Sequence, residues 1–248
     1  MIGARIVLKR GGKEEGERPF WISFADLMTA LMVVFLLVMS VALLAVTKEV
    51  SDAQIRQESR KKEIQYLLSQ LKSDAAQFVG VVVHDDDFQN PFIDFGTMAT
   101  FDTDRSQLTQ EQSTYLRRVI PTILAMANTD KGRRWFKQVV IEGYTDRTGR
   151  YLHNLDLSLR RSERLVCVLL DSPPPEEAPL TEDQKSLVKR LFLVGGYSSN
   201  SAKADLALSR RIELKLKFRE LNEEEPTQSG SDDILNAEVG DCALGGKS

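Results

Sequence analysis

From Leu27 to Val46 the chain reads LMTALMVVFLLVMSVALLAV, without a single charged residue. At 1.5 Å per helical residue such a run spans about 30 Å, the thickness of a bilayer's hydrocarbon core. Few folds accept a segment of this kind; a spanning helix satisfies every backbone donor and acceptor within itself. A secretory signal peptide is the competing reading, with Ser40-Val41-Ala42 as a small-residue cleavage site. Its apolar region is usually only about 7–15 residues long, shorter than this run. Arg5, Lys9, Arg10, Lys13 and Arg18 precede the segment, and the sequence after Thr47 is mixed in sign. The positive-inside rule then places the N-terminus in the cytoplasm and the remainder outside. The expectation is a single-pass protein of the bacterial inner membrane with a cytoplasmic segment 1–18 and a transmembrane helix 19–46.

Asp26 is the informative residue of that helix. The apolar stretch begins at Pro19-Phe20-Trp21, so Asp26 lies roughly 10 Å inside it, too deep for a short carboxylate to reach water easily. An ionisable group there costs at least about 2.5–3.5 kcal/mol on insertion scales. Lipid favours the neutral carboxylic acid and water the carboxylate. A group alternating between the two can carry a proton stepwise. The plainer alternative is an interfacial aspartate capping a helix that starts near Leu27. Ser23 and Ala30 share the Asp26 face at i−3 and i+4, and small residues let a partner helix approach. One helix cannot enclose an ion path, so a multi-spanning partner is implied.

PFWISFADLMTALMVVFLLVMSVALL resembles the transmembrane helix of the stator rod subunits, the MotB and ZorB type. The wording FWIS(F/Y)ADLMTALM is closer to the rods of Zorya anti-phage systems than to flagellar rods. The resemblance implies an ion-carrying role for Asp26, a ring-forming partner of the MotA/ZorA kind, a homodimer, and H+ as the transported ion with no bound cofactor.

Residues 47–78 contain no Pro or Gly and many helix formers, so a helical connector is expected. Ile64, Leu68, Leu71, Ala75 and Phe78 follow 4,3,4,3 spacing, two turns of a heptad seam. Two readings stay open: a parallel dimer contact, which the rod resemblance favours, or an amphipathic helix lying on its own globular domain.

From residue 79 to 220 the pattern becomes that of a mixed α/β sandwich. Val79–Val83 and Phe92–Phe95 read as a hairpin. Thr109–Met126 has helical periodicity at Tyr115, Val119, Ile123 and Met126. Lys137–Ile141 is strand-like and ends at Gly143. A helix is expected after Asn154 and stops before Pro173-Pro174-Pro175. Another runs from Thr181 to Leu191, followed by strands near Phe192–Val194 and Ile212–Phe218. The order β-α-β-α-β predicts an α+β sandwich with helices on one face of a mixed sheet. Residues 221–248 are acidic, contain Gly and Ser, and are expected to form a disordered tail.

Within this span, VVIEGYTDRTGRYLHNLDLSLRRSERLVCVLL (residues 139–170) resembles the OmpA C-terminal-like peptidoglycan-binding domain. Gly143, Thr145, Asp146, Gly149, Asn154, Leu157, Ser158, Arg161, Ser162 and Val166 fill the motif in order. Phe101, Thr103 and Leu108 meet an earlier element, and Ser209-Arg210-Arg211-Ile212 a closing one, with Ser in place of Asn. The resemblance implies a diaminopimelate-containing stem peptide as ligand. Asp146 would take its ammonium and Arg161 its carboxylate, Asn154 would hold the loop or the peptide, and Leu157 and Arg210 complete the set. Chemically the pairing is reasonable, because a guanidinium binds a carboxylate bidentately. A purely structural Asp146–Arg161 salt bridge is the alternative.

Composition argues against an enzyme. Two histidines and two cysteines leave hydrolytic and metal chemistries short of parts, and no Gly-rich phosphate loop, nucleophile elbow or HExxH is present. A net charge of −3 supplies no general field for nucleic acid. His84-Asp85-Asp86-Asp87 lacks the spaced ligands of a calcium loop and reads as a solvated turn. His153 reads as an exposed imidazole within reach of a glycan. Cys167 and Cys242 could pair in an oxidising compartment.

Overall fold

A computed structural model describes residues 20–223 together with Glu238, Gly240 and Cys242. The N-terminal segment and nearly all of the acidic tail lie outside these described residues. One helix, α1, runs from Phe20 to Ala75. The chain divides into two compact units at Ile55 and Arg56, so α1 contributes to both.

In the first unit, residues 21–55 of α1 are exposed on every side. By length and composition this is the one described helix able to cross a membrane, and no part of its most apolar window is buried. Thr29 Oγ1 donates to the Ala25 carbonyl at 2.7 Å and Ser40 Oγ to that of Leu36 at 2.7 Å. Their hydroxyls are thus satisfied within the helix, as a lipid environment demands.

The second unit is built on a five-stranded sheet of β1 (Val82–His84), β2 (Phe92–Asp94), β3 (Phe136–Gly143), β4 (Phe192–Gly196) and β5 (Ile212–Phe218), in the order β1-β2-β5-β3-β4. The β1–β2 hairpin pairs Val83 with Ile93, β2 and β3 flank β5 antiparallel, and β4 runs parallel to β3. The expected hairpin and mixed sheet are present. Helices α2 (Gln110–Ala127), α3 (Asp130–Trp135), α4 (Tyr151–Leu170), α5 (Glu182–Leu191) and the short α6 (Leu206–Ser209) complete the unit. Thr109 and Thr181 begin α2 and α5 with reciprocal capping boxes to Gln112 and Gln184, which accounts for the sharp starts of both.

Two points go beyond the sequence reading: the connector, where the amphipathic helix on its own domain is the one of the two open readings that is observed, and the start of α4. The heptad stripe of the connector faces its own domain: Ile64, Leu67, Leu68, Leu71 and Ala75 are buried in the same core as Ile93, Ile123, Ile141 and Leu214. Arg60 is buried beside them, its Nε donating to the Arg219 carbonyl at 2.7 Å. Trp135 Nε1 reaches Glu63 at 2.5 Å. The stripe is therefore used within the chain and is not a free dimer seam, because its apolar side chains are already covered by the core of the second unit. The second point is α4, which starts at Tyr151 rather than after Asn154. Asn154 lies inside the first turns, buried, and its side chain turns back to the preceding loop instead of capping the helix.

Candidate functional site

The cleft of the second unit forms where the chain after β3, the N-terminal half of α4, the 103–104 segment and Arg210 between α6 and β5 converge. Close packing sets its frame. A Cβ on Gly143 would lie 1.9 Å from the Ser158 carbonyl oxygen and 2.6 Å from Ser162 Oγ, so α4 crosses β3 in contact with bare backbone. Ser162 Oγ donates to the Gly195 carbonyl at 2.8 Å, and Ser158 Oγ accepts from the Ser198 N–H at 3.0 Å. The Gly and Ser positions of the motif thus join helix to sheet, and the charged positions lie beyond them.

Asp146 follows the end of β3 and is buried. Its Oδ1 accepts from the Thr148 N–H at 2.9 Å, and its Oδ2 pairs with Arg210 Nη1 at 3.0 Å. Burial pushes the Asp146 carboxyl up, but the bonds from Arg210 and Thr148 outweigh it and hold the group below the usual carboxylate range. Arg210 also donates from Nε to the Phe101 carbonyl at 2.9 Å. Its neighbour Arg211 points away from the cleft, pairs with Glu213 at 2.6 Å and stacks on Tyr144. Of the two arginines in the closing element, strand alternation delivers Arg210 alone to the site.

Arg161 is 0% exposed. It donates to three carbonyls: Nε to Arg105 at 2.9 Å, Nη1 to Tyr144 at 2.8 Å and Nη2 to Asp102 at 3.1 Å. Its guanidinium lies 5.1 Å from the Phe101 ring centroid. Burial, then the like charge of Arg210, pulls its pKa down to about 10. Arg161 staples the 101–105 segment to the end of β3, and the close ion pair of Asp146 is with Arg210. The guanidinium still keeps two N–H groups beyond those three bonds and borders the cleft. Asn154 Nδ2 donates to the carbonyls of Thr148 at 3.0 Å and Asp146 at 3.4 Å, holding the loop in place.

Asp146, Asn154, Leu157, Arg161 and Arg210 therefore line one cleft of about 210 Å³, as their shared motif implied. Thr103, Thr145, Thr148, Gly149 and His153 join them. Sequence reasoning missed Asp104. It adopts a left-handed backbone (φ 57°) and holds His153 Nε2 at 2.6 Å across the rim. Its only sequence signal is adjacency to Thr103. His84 stacks on Phe92 at 4.3 Å, and among the described residues no His, Cys, Asp or Glu cluster could hold a metal ion. Cys167 and Cys242 are free thiols; burial, then a hydrogen bond with Cys242, pushes the Cys167 thiol up to about 12.

Asp26 differs in every respect. It is exposed on α1, with no hydrogen bond or ion pair to any described residue. Thr29 and Ala30 follow it at i+3 and i+4, and Ser23 precedes it at i−3.

A helix long and apolar enough to cross a membrane, with one carboxyl in its apolar stretch, followed by a mixed α/β domain with an acid–arginine cleft, is the arrangement to set beside known proteins. Residues 8–51 match the family described as membrane MotB of the proton-channel complex MotA/MotB. The chain is 39% identical over 246 residues to the Zorya protein ZorB of Escherichia coli O139:H28 (strain E24377A / ETEC), covering 98% of each chain. The chain therefore belongs to the ZorB family of Zorya proteins. Solved structures with a similar fold include the periplasmic domain of MotB (residues 64–256), with 16% identity, a TM-score of 0.42, and coverage of 63% of this chain and 75% of that one. The cell wall anchor of the T6SS from Pseudomonas aeruginosa is similar at 18% identity and a TM-score of 0.41, over 61% of this chain and 97% of that one.

Proposed function

We propose that the chain is the ion-carrying, wall-anchored rod of a Zorya-type motor in the bacterial inner membrane, with its N-terminus cytoplasmic and its second unit periplasmic. The observation that carries this reading is Asp26: the one charged residue of the apolar stretch 19–46, whose residues 21–46 are exposed on every side, inside the segment that matches the MotB proton-channel family. Since this helix encloses nothing by itself, the seal around Asp26 comes from another chain, a multi-spanning ring subunit of the MotA/ZorA kind. The carboxyl is neutral when sealed against the ring and ionised where water reaches it. Cycling between the two passes H+ inward and alters which ring contacts are favourable. One elementary charge crossing 100 mV releases about 2.3 kcal/mol, enough to bias a step between two packed states.

The cleft of Asp146, Asn154, Leu157, Arg161 and Arg210 binds the diaminopimelate head of peptidoglycan stem peptides, so the rod stays fixed while the ring turns. A homodimer carries two such clefts, and avidity compensates for weak single sites. Its contact lies elsewhere than the Ile64–Ala75 stripe, which the domain already covers. No cofactor and no catalysis are required.

The test is Asp26→Asn and Asp26→Glu in the native operon, scored for phage protection with membrane abundance measured alongside. Asn should reduce protection to the level of cells lacking the system at unchanged abundance, and Glu should retain part of it. Full protection by the Asn variant would overturn the ion-carrying role and leave a static tether between membrane and wall.

A further inference from the structure

The cleft contains one polar atom that the fold leaves unused. Thr145 is 2% exposed, and its Oγ1 is buried without a hydrogen-bond partner among the described residues. Its backbone is settled: the N–H donates to the Ser198 carbonyl at 2.8 Å. Ser198 is itself fully buried and held in a left-handed conformation (φ 54°), so the strand end is firmly placed. A buried hydroxyl with no partner costs about 1–3 kcal/mol. Valine has the same shape without that cost, so packing alone does not call for threonine here.

The surrounding chemistry says what the hydroxyl meets. The cleft holds two arginines as donors and, near them, the buried carboxylate of Asp146, with Asp104 out on the rim. Arg161 and Arg210 keep unused N–H groups beyond the bonds described above, whereas Asp146 already spends one oxygen on Arg210 and the other on the Thr148 amide. A ligand carboxylate is thus well served. An ammonium on the same ligand carbon has three hydrogens to place, and beside Asp146 the Thr145 hydroxyl is the buried acceptor without a partner among the described residues. We propose that Thr145 is a ligand-binding residue of this cleft, its hydroxyl accepting from the ammonium of a zwitterionic amino-acid head and giving its own hydrogen to the neighbouring carboxylate. The inference rests on the wall-binding reading and adds a contact to it.

The test uses the full-length chain in detergent micelles and a diaminopimelate-containing disaccharide-tripeptide as probe. Binding is measured by calorimetry and folding by thermal unfolding, for wild type, Thr145→Val, Thr145→Ala, Thr145→Ser and Asp146→Asn. Removing one hydrogen bond to a charged group should weaken binding about tenfold in Thr145→Val. Its unfolding temperature should stay equal or rise, and Thr145→Ser should bind within about twofold of wild type. Thr145→Ala serves as a second hydroxyl-free variant if Val disturbs the fold, with the same weakening expected. Wild-type affinity in a folded hydroxyl-free variant, with Asp146→Asn binding lost, would overturn the role of Thr145 alone. Absence of binding by wild type, or equal binding by wild type and Asp146→Asn, would overturn the cleft as a wall site and Thr145 with it.

Discussion

Residues 21–46 and residues 60–75 lie on one helix and both present apolar side chains, yet they are covered differently. The first stretch is apolar all round and exposed all round; in the second, apolar residues fall on one face, and that face is buried in the core beside the sheet. Pattern, more than composition, decides which surroundings an apolar segment requires. The two carboxyls repeat the contrast. Asp146 is buried but bonded to Arg210 and the Thr148 amide, so its charge is secured within the chain. Asp26 has neither among the described residues. The contrast is the one the proposed function uses: attachment at the first carboxyl, a cycle at the second.

Three measurements sharpen this contrast. The largest expected effect is at Arg161. Arg161→Ala leaves three carbonyls without their donor and an empty buried volume, and should destabilise the second unit by about 3–5 kcal/mol in urea unfolding. Loss of wall binding in that variant therefore reports folding as much as recognition, and a marginal change would mean that Arg161 is not the staple its contacts describe.

Next comes the stripe of α1. Leu68→Ala should cost about 2–5 kcal/mol of domain stability, whereas Leu37→Ala, on the all-round exposed stretch, should change it by less than about 0.5 kcal/mol. Equal effects would erase the distinction between the two stretches.

The smallest effect concerns acid. Burial opposes the charge on Asp94, but the Lys203 pair at 2.8 Å and the Gly96 amide outweigh it, so its carboxyl sits below the ordinary 3.8. A lowered folded pKa gives stability that is complete above the ordinary value and is lost as pH falls through the folded one. Lys203→Gln should therefore move the acid-unfolding edge upward by a few tenths of a pH unit. An unmoved edge would show that Asp94 gains nothing from Lys203.

Much of the fold was readable from the chain. The helical spans beginning at Thr109 and Thr181, the proline stop after α4 and the strand-like runs are local signals, and each corresponds to an observed element within a few residues. The candidate cleft was readable as a set, because Asp146, Asn154, Leu157 and Arg161 sit in one unbroken motif. Their division of labour was not. Which arginine pairs with Asp146 depends on β5 delivering Arg210 from 64 positions away, and whether Asn154 caps or holds a loop depends on where α4 starts. Asp104 and the unpartnered Thr145 hydroxyl emerged only from contacts between distant segments.

By itself the sequence determined a helix of membrane length with an acid inside it, because twenty uncharged residues admit few other conformations in water or lipid. It also determined the order of the strands and of the longer helices, though not the short α3 and α6, since periodicity acts within a few residues. Only the tertiary structure decided that the connector's stripe belongs to the domain and that Arg161 is a staple while Arg210 holds the aspartate. The physical reason is range: backbone preference is local, whereas burial and ion pairing depend on which distant segment the fold brings against a surface that must be covered.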